Sequence, residues 1–241
     1  MANLVLRLAW KLSPPNGRRK FHLKSEKMPR RFRYELELLE RGLTRIAGVD
    51  EAGRGPLAGP VFAAAVVFPI GWLRQGLPAP LKKVNDSKQL SPETREQLFA
   101  ELTSRPEIHY AVARVDSPII DEINILQATH RAMNLALTQL LPAPEHALVD
   151  GLPVKSMAWP HTAIVSGDSV SYSIAAASIL AKVSRDRCML ELDRVYPGYG
   201  FAQHKGYGTE GHLAALKTLG ACPVHRRSFS PMRPAEKDLF D

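Results

Sequence analysis

The sequence predicts an α/β fold on a mixed sheet, and three observations carry that expectation. Apolar segments of strand length, such as "GPVFAAAVVF" (59–68), share the chain with longer helical segments such as "SIAAASILAKV" (173–183). Strands come first in a run and then alternate with helices, which mixes antiparallel and parallel neighbours in one sheet. The 241 residues, 45% of them hydrophobic, suit one sizeable domain, alone or with tails.

The elements follow in order. Residues 32–42, "FRYELELLERG", set Tyr34, Leu36, Leu38 and Leu39 among charges and close on glycine, which predicts a short helix with a stop. Residues 44–50 read as a strand and 59–68 as a second, well-buried one. "LPAPLKKVNDSKQL" (77–90) reads as a loop, after which Ser91 caps a helix from about Pro92. Residues 108–115 alternate as a third strand, and 119–140 form a long helix. A short strand at 147–149 ends at Asp150-Gly151, and another at 163–165 ends at Gly167-Asp168. Residues 172–195 form a helix whose many small side chains let it pack closely on a sheet, and 212–219 form the last helix. There is no internal repeat.

The net charge of +8 invites a nucleic-acid reading, but its distribution does not support one by itself. Residues 1–31 hold nine Lys/Arg and one acid, Glu26; the other 210 residues hold 23 Lys/Arg and 23 Asp/Glu. All the excess basicity therefore lies in the leader. With "SPPNGRRK" and no sustained periodicity, the leader reads as a flexible extension. Arg7 and Lys11 break the apolar part that a secretory signal needs. The basic, acid-poor composition fits an organelle transit peptide, and the plainer alternative is translation from Met28. No apolar run approaches eighteen residues, so no transmembrane helix and no membrane partner is expected. Cys188 and Cys222 form no CxxC pair, which favours a reducing cytosol and a cytoplasmic location. A zinc site combining them with His204 or His225 lacks metal-ligand spacing.

Acids stand at three strand ends: Asp50-Glu51, Asp150, and Asp168 before the 172–195 helix. In an open α/β sheet, sites form at the carboxyl ends of strands. If the first and fourth strands are neighbours, Asp50 and Asp150 meet there, and Asp168 reaches the same point. Successive strand residues face opposite sides, so Asp50 and Glu51 share one site only if the strand ends and the backbone turns. The Ala-Gly-Arg-Gly that follows permits such a turn. Crowded carboxylates cannot all stay ionised unaided. Two hard divalent cations, Mg²⁺ or Mn²⁺, would relieve them and suit in-line displacement at phosphorus. Plainer readings remain at each position: a helix cap for Asp168, a turn for Asp150-Gly151, a solvated strand end for Asp50-Glu51. A phosphate-loop reading of "GRGPLAG" fails, because Gly53, Gly55 and Gly59 do not make G-x-G-x-x-G and no Gly-Lys-Ser/Thr follows.

The residues also carry a resemblance. "GVDEAGRGPLAGPV" (48–61) resembles the opening motif of the bacterial ribonuclease HII family. "NDSKQLSPETRE" (85–96), "LVDG" (148–151), "GDSVSYSIAAASILAKVSRDR" (167–187), "YPGYGFAQHKGYGTEGH" (196–212) and "CPVHRRSFSP" (222–231) are similar to its later blocks, in order. The resemblance covers roughly residues 32–233, leaving 1–31 as an extension and 234–241 as a tail. The sister ribonuclease HIII family lacks this Gly-Arg-Gly and carries a large extra N-terminal domain.

The resemblance implies a ribonuclease H-like fold: a five-stranded mixed sheet flanked by helices, with a small helical C-terminal part. It implies an endonuclease that cleaves RNA in RNA/DNA hybrids and incises 5′ to single ribonucleotides embedded in duplex DNA, acting as a monomer. The implied catalytic and metal-binding carboxylates are Asp50, Glu51, Asp150 and Asp168, with Asp50 shared between two ions, Mn²⁺ or Mg²⁺. The products would be a 5′-phosphate and a 3′-hydroxyl. Gly53-Arg54-Gly55 would read the 2′-hydroxyl, and Tyr207 would pack on the next sugar. Lys88 and Lys182 resemble backbone-phosphate contacts, while His204 reads as structural or surface. Glu236-Lys237-Asp238-Leu239-Phe240 loosely resembles a peptide that docks on sliding clamps, with Glu in place of Gln. Two alternatives stand beside this reading. One is a resolvase- or transposase-like DNA cutter of the same fold, and the other is a non-catalytic hybrid-binding module.

Overall fold

The computed structural model describes residues 30–232. In chain order the elements are α1 (Arg33–Glu40), β1 (Ile46–Ala52), β2 (Val61–Val67), α2 (Ile70–Gln75), α3 (Pro92–Thr103), β3 (His109–Val115) and α4 (Ser117–Gln139). Then come β4 (His146–Asp150), β5 (His161–Ile164), α5 (Gly167–Val170), α6 (Tyr172–Val195), α7 (Phe201–His204) and α8 (Glu210–Leu219). The strands form one sheet in the order β3-β2-β1-β4-β5. β1–β2 and β2–β3 are antiparallel, while β1–β4 and β4–β5 are parallel. The expected five-stranded mixed sheet is the one observed, with β1 at its centre.

Alternation along β2 assigns the two faces. Ala64, Val66 and Phe68 pack with Ala175, Ala176 and Ile179 of α6 on one side. Ala63, Ala65 and Val67 pack with Ala128, Ala132 and Ala136 of α4 on the other. The small residues of α6 do what their size suggests. At Gly48 a Cβ would lie 2.1 Å from the Ser173 carbonyl carbon, so only glycine lets the α6 backbone press onto β1.

Caps follow the sequence in some places and not in others. Ser91 accepts a 3.2 Å bond from the Thr94 amide at the start of α3, as expected. The single long helix expected at 119–140 is broken: Asn124 has φ 65°, and its Oδ1 accepts from the amides of Leu126 and Gln127. It thus works as an internal N-cap that restarts the helix. The loop expected at 77–90 holds two 3-10 turns, Ala79–Lys83 and Ser87–Gln89. The helices α2, α5 and α7 lie outside the sequence-based assignment. Arg31 is tied into the fold. Its guanidinium donates to the carbonyls of Val84 (2.8 Å) and Asp168 (2.6 Å) and lies 4.6 Å from the Tyr172 ring centroid. Residues 1–29 and the tail that contains Glu236–Phe240 lie outside the described residues. No described helix is long and apolar enough to cross a membrane.

Candidate active site

β1 and β4 run parallel in a register that ends at Val49–Val149, so Asp50 and Asp150 follow side by side at the carboxyl end of the pair. β1 does not end there. Asp50 pairs with Ala64, Glu51 with Ala63 and Ala52 with Phe62, so the turn expected after Asp50 is absent. The strand outlasts its parallel neighbour because β2 continues to pair with it. Val49 and Val149 belong to the core under α4. By alternation Asp50 and Asp150 lean to the α6 side and Glu51 to the α4 side. The site therefore wraps the end of the sheet instead of lying on one face. Asp150 Oδ1 accepts a 2.6 Å bond from the Gly167 amide, which draws the start of α5, and with it Asp168, toward β4. Asp168 does not cap the long helix; Ser171 does, accepting from the Ile174 amide.

The four acids are electrostatically one group. Asp50 is buried, and burial first, then Glu51, Asp150 and Asp168, push its carboxyl well above the usual range. Burial also raises Glu51, with Asp150 adding to the rise and Arg54 opposing it from 3.4 Å. Asp168 is raised by burial and then by Asp86 and Asp150, against the pull of Lys88. Among the described residues, no three acids, histidines or cysteines close on a common point that an ion would fill. The donors share one mouth without forming a finished cage. Every candidate donor is a carboxylate oxygen, and their mutual repulsion is what a hard divalent cation relieves, so the set fits such an ion in chemistry.

Beside the acids, residues 53–60 form a loop clamped from behind. Two buried arginines hold its carbonyls. Arg226 Nη2 donates to Gly53 O (2.6 Å), Nη1 to Arg54 O (2.9 Å) and Nε to Gly59 O (3.0 Å). Arg185 Nε donates to Pro60 O (3.1 Å) and Nη2 to Ala58 O (3.2 Å). Burial first, then the neighbouring Arg185, pull the Arg226 guanidinium down to about 9, so it stays charged at neutral pH. The loop backbone is also laced to the C-terminal part: Leu57 N donates to Gly206 O, Gly59 N to Val224 O and Arg226 N to Leu57 O, each at 2.8 Å.

This arrangement revises the reason for Gly53. A Cβ there would lie 2.0 Å from Arg185 Nε, and φ is +101°. Glycine at 53 makes room for a buried arginine inside the protein; it does not by itself clear space for a sugar. At Gly55 an added Cβ would meet only Tyr207 Cε1, at 3.7 Å. The Tyr207 ring thus stands over the open side of the loop and is 47% exposed. Its carbonyl faces His212 Nδ1 at 2.9 Å, and His212 Nε2 lies 3.0 Å from His225 Nε2. His204 is structural, as expected: Nε2 meets Tyr199 O at 2.8 Å and Nδ1 accepts from Gly206 N at 3.1 Å. His225 Nδ1 lies 3.0 Å from Cys222 Sγ. Cys188 lines a hollow with Arg114 and Asp116, and both cysteines are free thiols.

Lys88 is exposed at the mouth, close enough to Glu51 and Asp168 to oppose the rise of both. Lys182 instead pairs with Asp186 one turn along α6, at 2.7 Å. A cavity of about 440 Å³ opens on the α4 side, lined by Glu51, Arg54, His130, Asp150 and Lys155 among others. The reading from sequence missed Arg185, Arg226, His212 and His225 as supports, and gave Asp86 no role. The signal for two of them lay in "CPVHRRSFSP", a short polar block that could earn a place only by holding something.

Known proteins resemble this chain in sequence and in fold. The family model described as Ribonuclease HII matches residues 47–232. A relative named Ribonuclease HII from Ruminiclostridium cellulolyticum is 50% identical over 204 residues, 85% of this chain and 77% of that protein. The crystal structure of ribonuclease H2 from Pyrococcus horikoshii OT3 superposes with TM-score 0.64 at 29% identity, covering 78% of this chain and 95% of that one. The RNase HII of a PCNA:RNase HII complex from Archaeoglobus fulgidus superposes with TM-score 0.62 at 25% identity, covering 81% and 98%.

Proposed function

This chain belongs to the ribonuclease HII family and is an endonuclease of the ribonuclease H type, and on that premise we propose that it nicks a strand 5′ to an embedded ribonucleotide. In this reading it also cleaves RNA in RNA/DNA hybrids, leaves a 5′-phosphate and a 3′-hydroxyl, and works in the cytoplasm. One observation carries the reading. The carboxyl end of the β1–β4 pair sets Asp50, Glu51, Asp150 and Asp168 beside a loop, 53–55, that the Tyr207 ring overlooks.

Asp50, Glu51, Asp150 and Asp168 would hold two divalent ions, Mg²⁺ or Mn²⁺, with Asp50 shared between them. When bound, such ions supply charge neutralisation for in-line displacement at phosphorus. The chain's own residues do the rest. Arg54 and Lys88 carry positive charge to the mouth, where a phosphate would lie. The 53–55 backbone offers polar groups to a 2′-hydroxyl, the one group that separates RNA from DNA at a given site. Tyr207 offers a half-open ring to the adjoining sugar. Lys182, tied to Asp186, would reach a more distant phosphate only by leaving that partner.

The test is a duplex with one embedded ribonucleotide, incubated with Mg²⁺, Mn²⁺ or EDTA beside an all-DNA duplex. A metal-dependent nick 5′ of the ribonucleotide, and none in the all-DNA control, is the expected result. Cleavage of both duplexes would favour the DNA-cutter alternative, and binding without cleavage the non-catalytic one. The archaeal PCNA complex supports a further proposal, that Glu236–Phe240 docks on a sliding clamp. Phe240→Ala should then abolish a clamp pull-down.

A further inference from the structure

The loop that would meet the ribose has no regular secondary structure to hold it, yet a hydroxyl can be read only by donors and acceptors that stay in place. Two side chains supply that rigidity. Arg226 is 0% exposed, and its guanidinium bonds the carbonyls of Gly53, Arg54 and Gly59 at once. Arg185 is 1% exposed, bonds Ala58 and Pro60, and lies directly under Gly53. Among their hydrogen bonds in the structure none goes to a carboxylate; every acceptor is a carbonyl of residues 53–60.

Burying two adjacent cations without a paired acid is costly. An apolar pair would fill the same space at lower cost, but it would leave five carbonyls, three of them in buried bonds, without these donors. The planar fork of arginine is suited to bonding several fixed acceptors in one geometry, and lysine cannot reproduce it. The Arg226 guanidinium carbon also lies over the Phe229 ring, 5.1 Å from its centroid, within cation–π reach.

We infer that Arg226, supported by Arg185, is a positioning residue for ribose recognition: it fixes the 53–55 backbone where a 2′-hydroxyl must meet it, without touching the substrate. The inference rests on the proposed 2′-hydroxyl reading at that loop. It divides two roles between two distant sequence blocks. Gly53-Arg54-Gly55 would present the reading surface, and "HRRSF" (225–229), some 170 residues later, would set its geometry.

The experiment compares wild type with Arg226→Lys and Arg185→Lys. Each is measured for affinity to a duplex with one ribonucleotide and to the matching all-DNA duplex, in EDTA, and for single-turnover cleavage with Mn²⁺. Folding is checked by a cooperative thermal transition. Arg226→Lys should lower the ribo-to-deoxy affinity ratio about tenfold, and cleavage at saturating substrate with it, while all-DNA affinity stays within about twofold. Arg185→Lys, which leaves the bonds to Gly53 and Arg54 intact, should move the same ratio less. A general loss of stability would weaken both duplexes alike and leave the ratio where it was. Unchanged ratios in the folded variants, or loss of the folded state in both, would assign the arginines to scaffolding alone and overturn the inference. A wild-type protein that shows no ribo preference would instead overturn the proposed function, so the two failures are distinguishable.

Discussion

Asp150 accepts a 2.6 Å hydrogen bond from the amide of Gly167, the residue before Asp168. One oxygen of a candidate ligand is thus spent on placing the next candidate, and the strand end and the helix start are joined through it. Asp150→Asn keeps an acceptor of the same shape and removes the charge. The expected outcome is a folded protein with a thermal midpoint close to wild type and cleavage reduced on the order of 10² or more, as for loss of a group aimed at developing charge. Asp150→Ala should cost more, because the Gly167 amide then loses its partner and Asp168 its placement. Single-turnover rates and thermal melts of the two variants check this. Equal rates for both variants would mean that the Gly167 bond has no part in placing Asp168.

The repulsion among the acids makes a pH prediction. Folded Asp50 keeps its proton to higher pH than in the unfolded chain, where an aspartate titrates near about 3.9. Above that pH the folded state binds more protons than the unfolded state, so stability from this group falls as pH rises toward neutrality. Asp50→Asn removes the effect. In EDTA the variant should melt above wild type by a few degrees at pH 7.5 and by less at pH 5. Adding Mg²⁺ or Mn²⁺ at pH 7.5 should raise the wild-type midpoint and move the variant less. Calorimetry in the four conditions is the check, and a gap between variant and wild type that does not change with pH would refute it.

The fold was legible because its signals are local and periodic. The buried run 61–67, the alternation of 108–115 and the small residues of α6 each carry their own structure, and "NDSKQLSPETRE" shows its Ser91 cap in plain view. Asp50, Asp150 and Asp168 were legible as acids at element ends, and the parallel pairing of β1 with β4 was the one long-range fact their meeting required. What stayed hidden depends on partners far along the chain. Nothing near Glu51 says that β2 will hold β1 straight through Ala52. Gly53 looks like a glycine freed for a ligand until Arg185, 132 positions on, is found beneath it. Asn124 was readable as a cap, but it sits in an apolar helical run that masks the break.

The two outer glycines of the 53–55 loop should behave differently. Gly53→Ala places a methyl into the Arg185 guanidinium at a positive φ, where an L side chain is strained. Strain and overpacking together cost roughly 2 to 4 kcal/mol, and the buried arginine cannot move aside without releasing Ala58 and Pro60. Gly55→Ala meets only the edge of Tyr207 at an ordinary contact distance and should change stability by about 0.5 kcal/mol or less. If the loop reads the ribose, that same methyl still intrudes on the substrate side, so Gly55→Ala should lose ribonucleotide cleavage while folding normally. Denaturant melts paired with cleavage rates separate the cases. A Gly53→Ala protein as stable as wild type would contradict the packing described here.

Tyr207 offers the last test, because its two halves have different duties. The carbonyl is held by His212 and the amide bonds His204 O, so the backbone stays fixed whatever the side chain is. The ring is half exposed and overlooks Gly55. Tyr207→Ala should therefore leave stability within about 0.5 kcal/mol, as for a surface change. It should also cut cleavage at a single ribonucleotide by on the order of tenfold, the loss of roughly 1.4 kcal/mol of ring burial against a sugar. Tyr207→Phe keeps the ring and should stay near wild type if packing is the whole effect. A Phe variant as impaired as the Ala variant would shift the role from the ring face to the hydroxyl. Rates for Tyr207→Ala equal to wild type would remove Tyr207 from the recognition surface altogether.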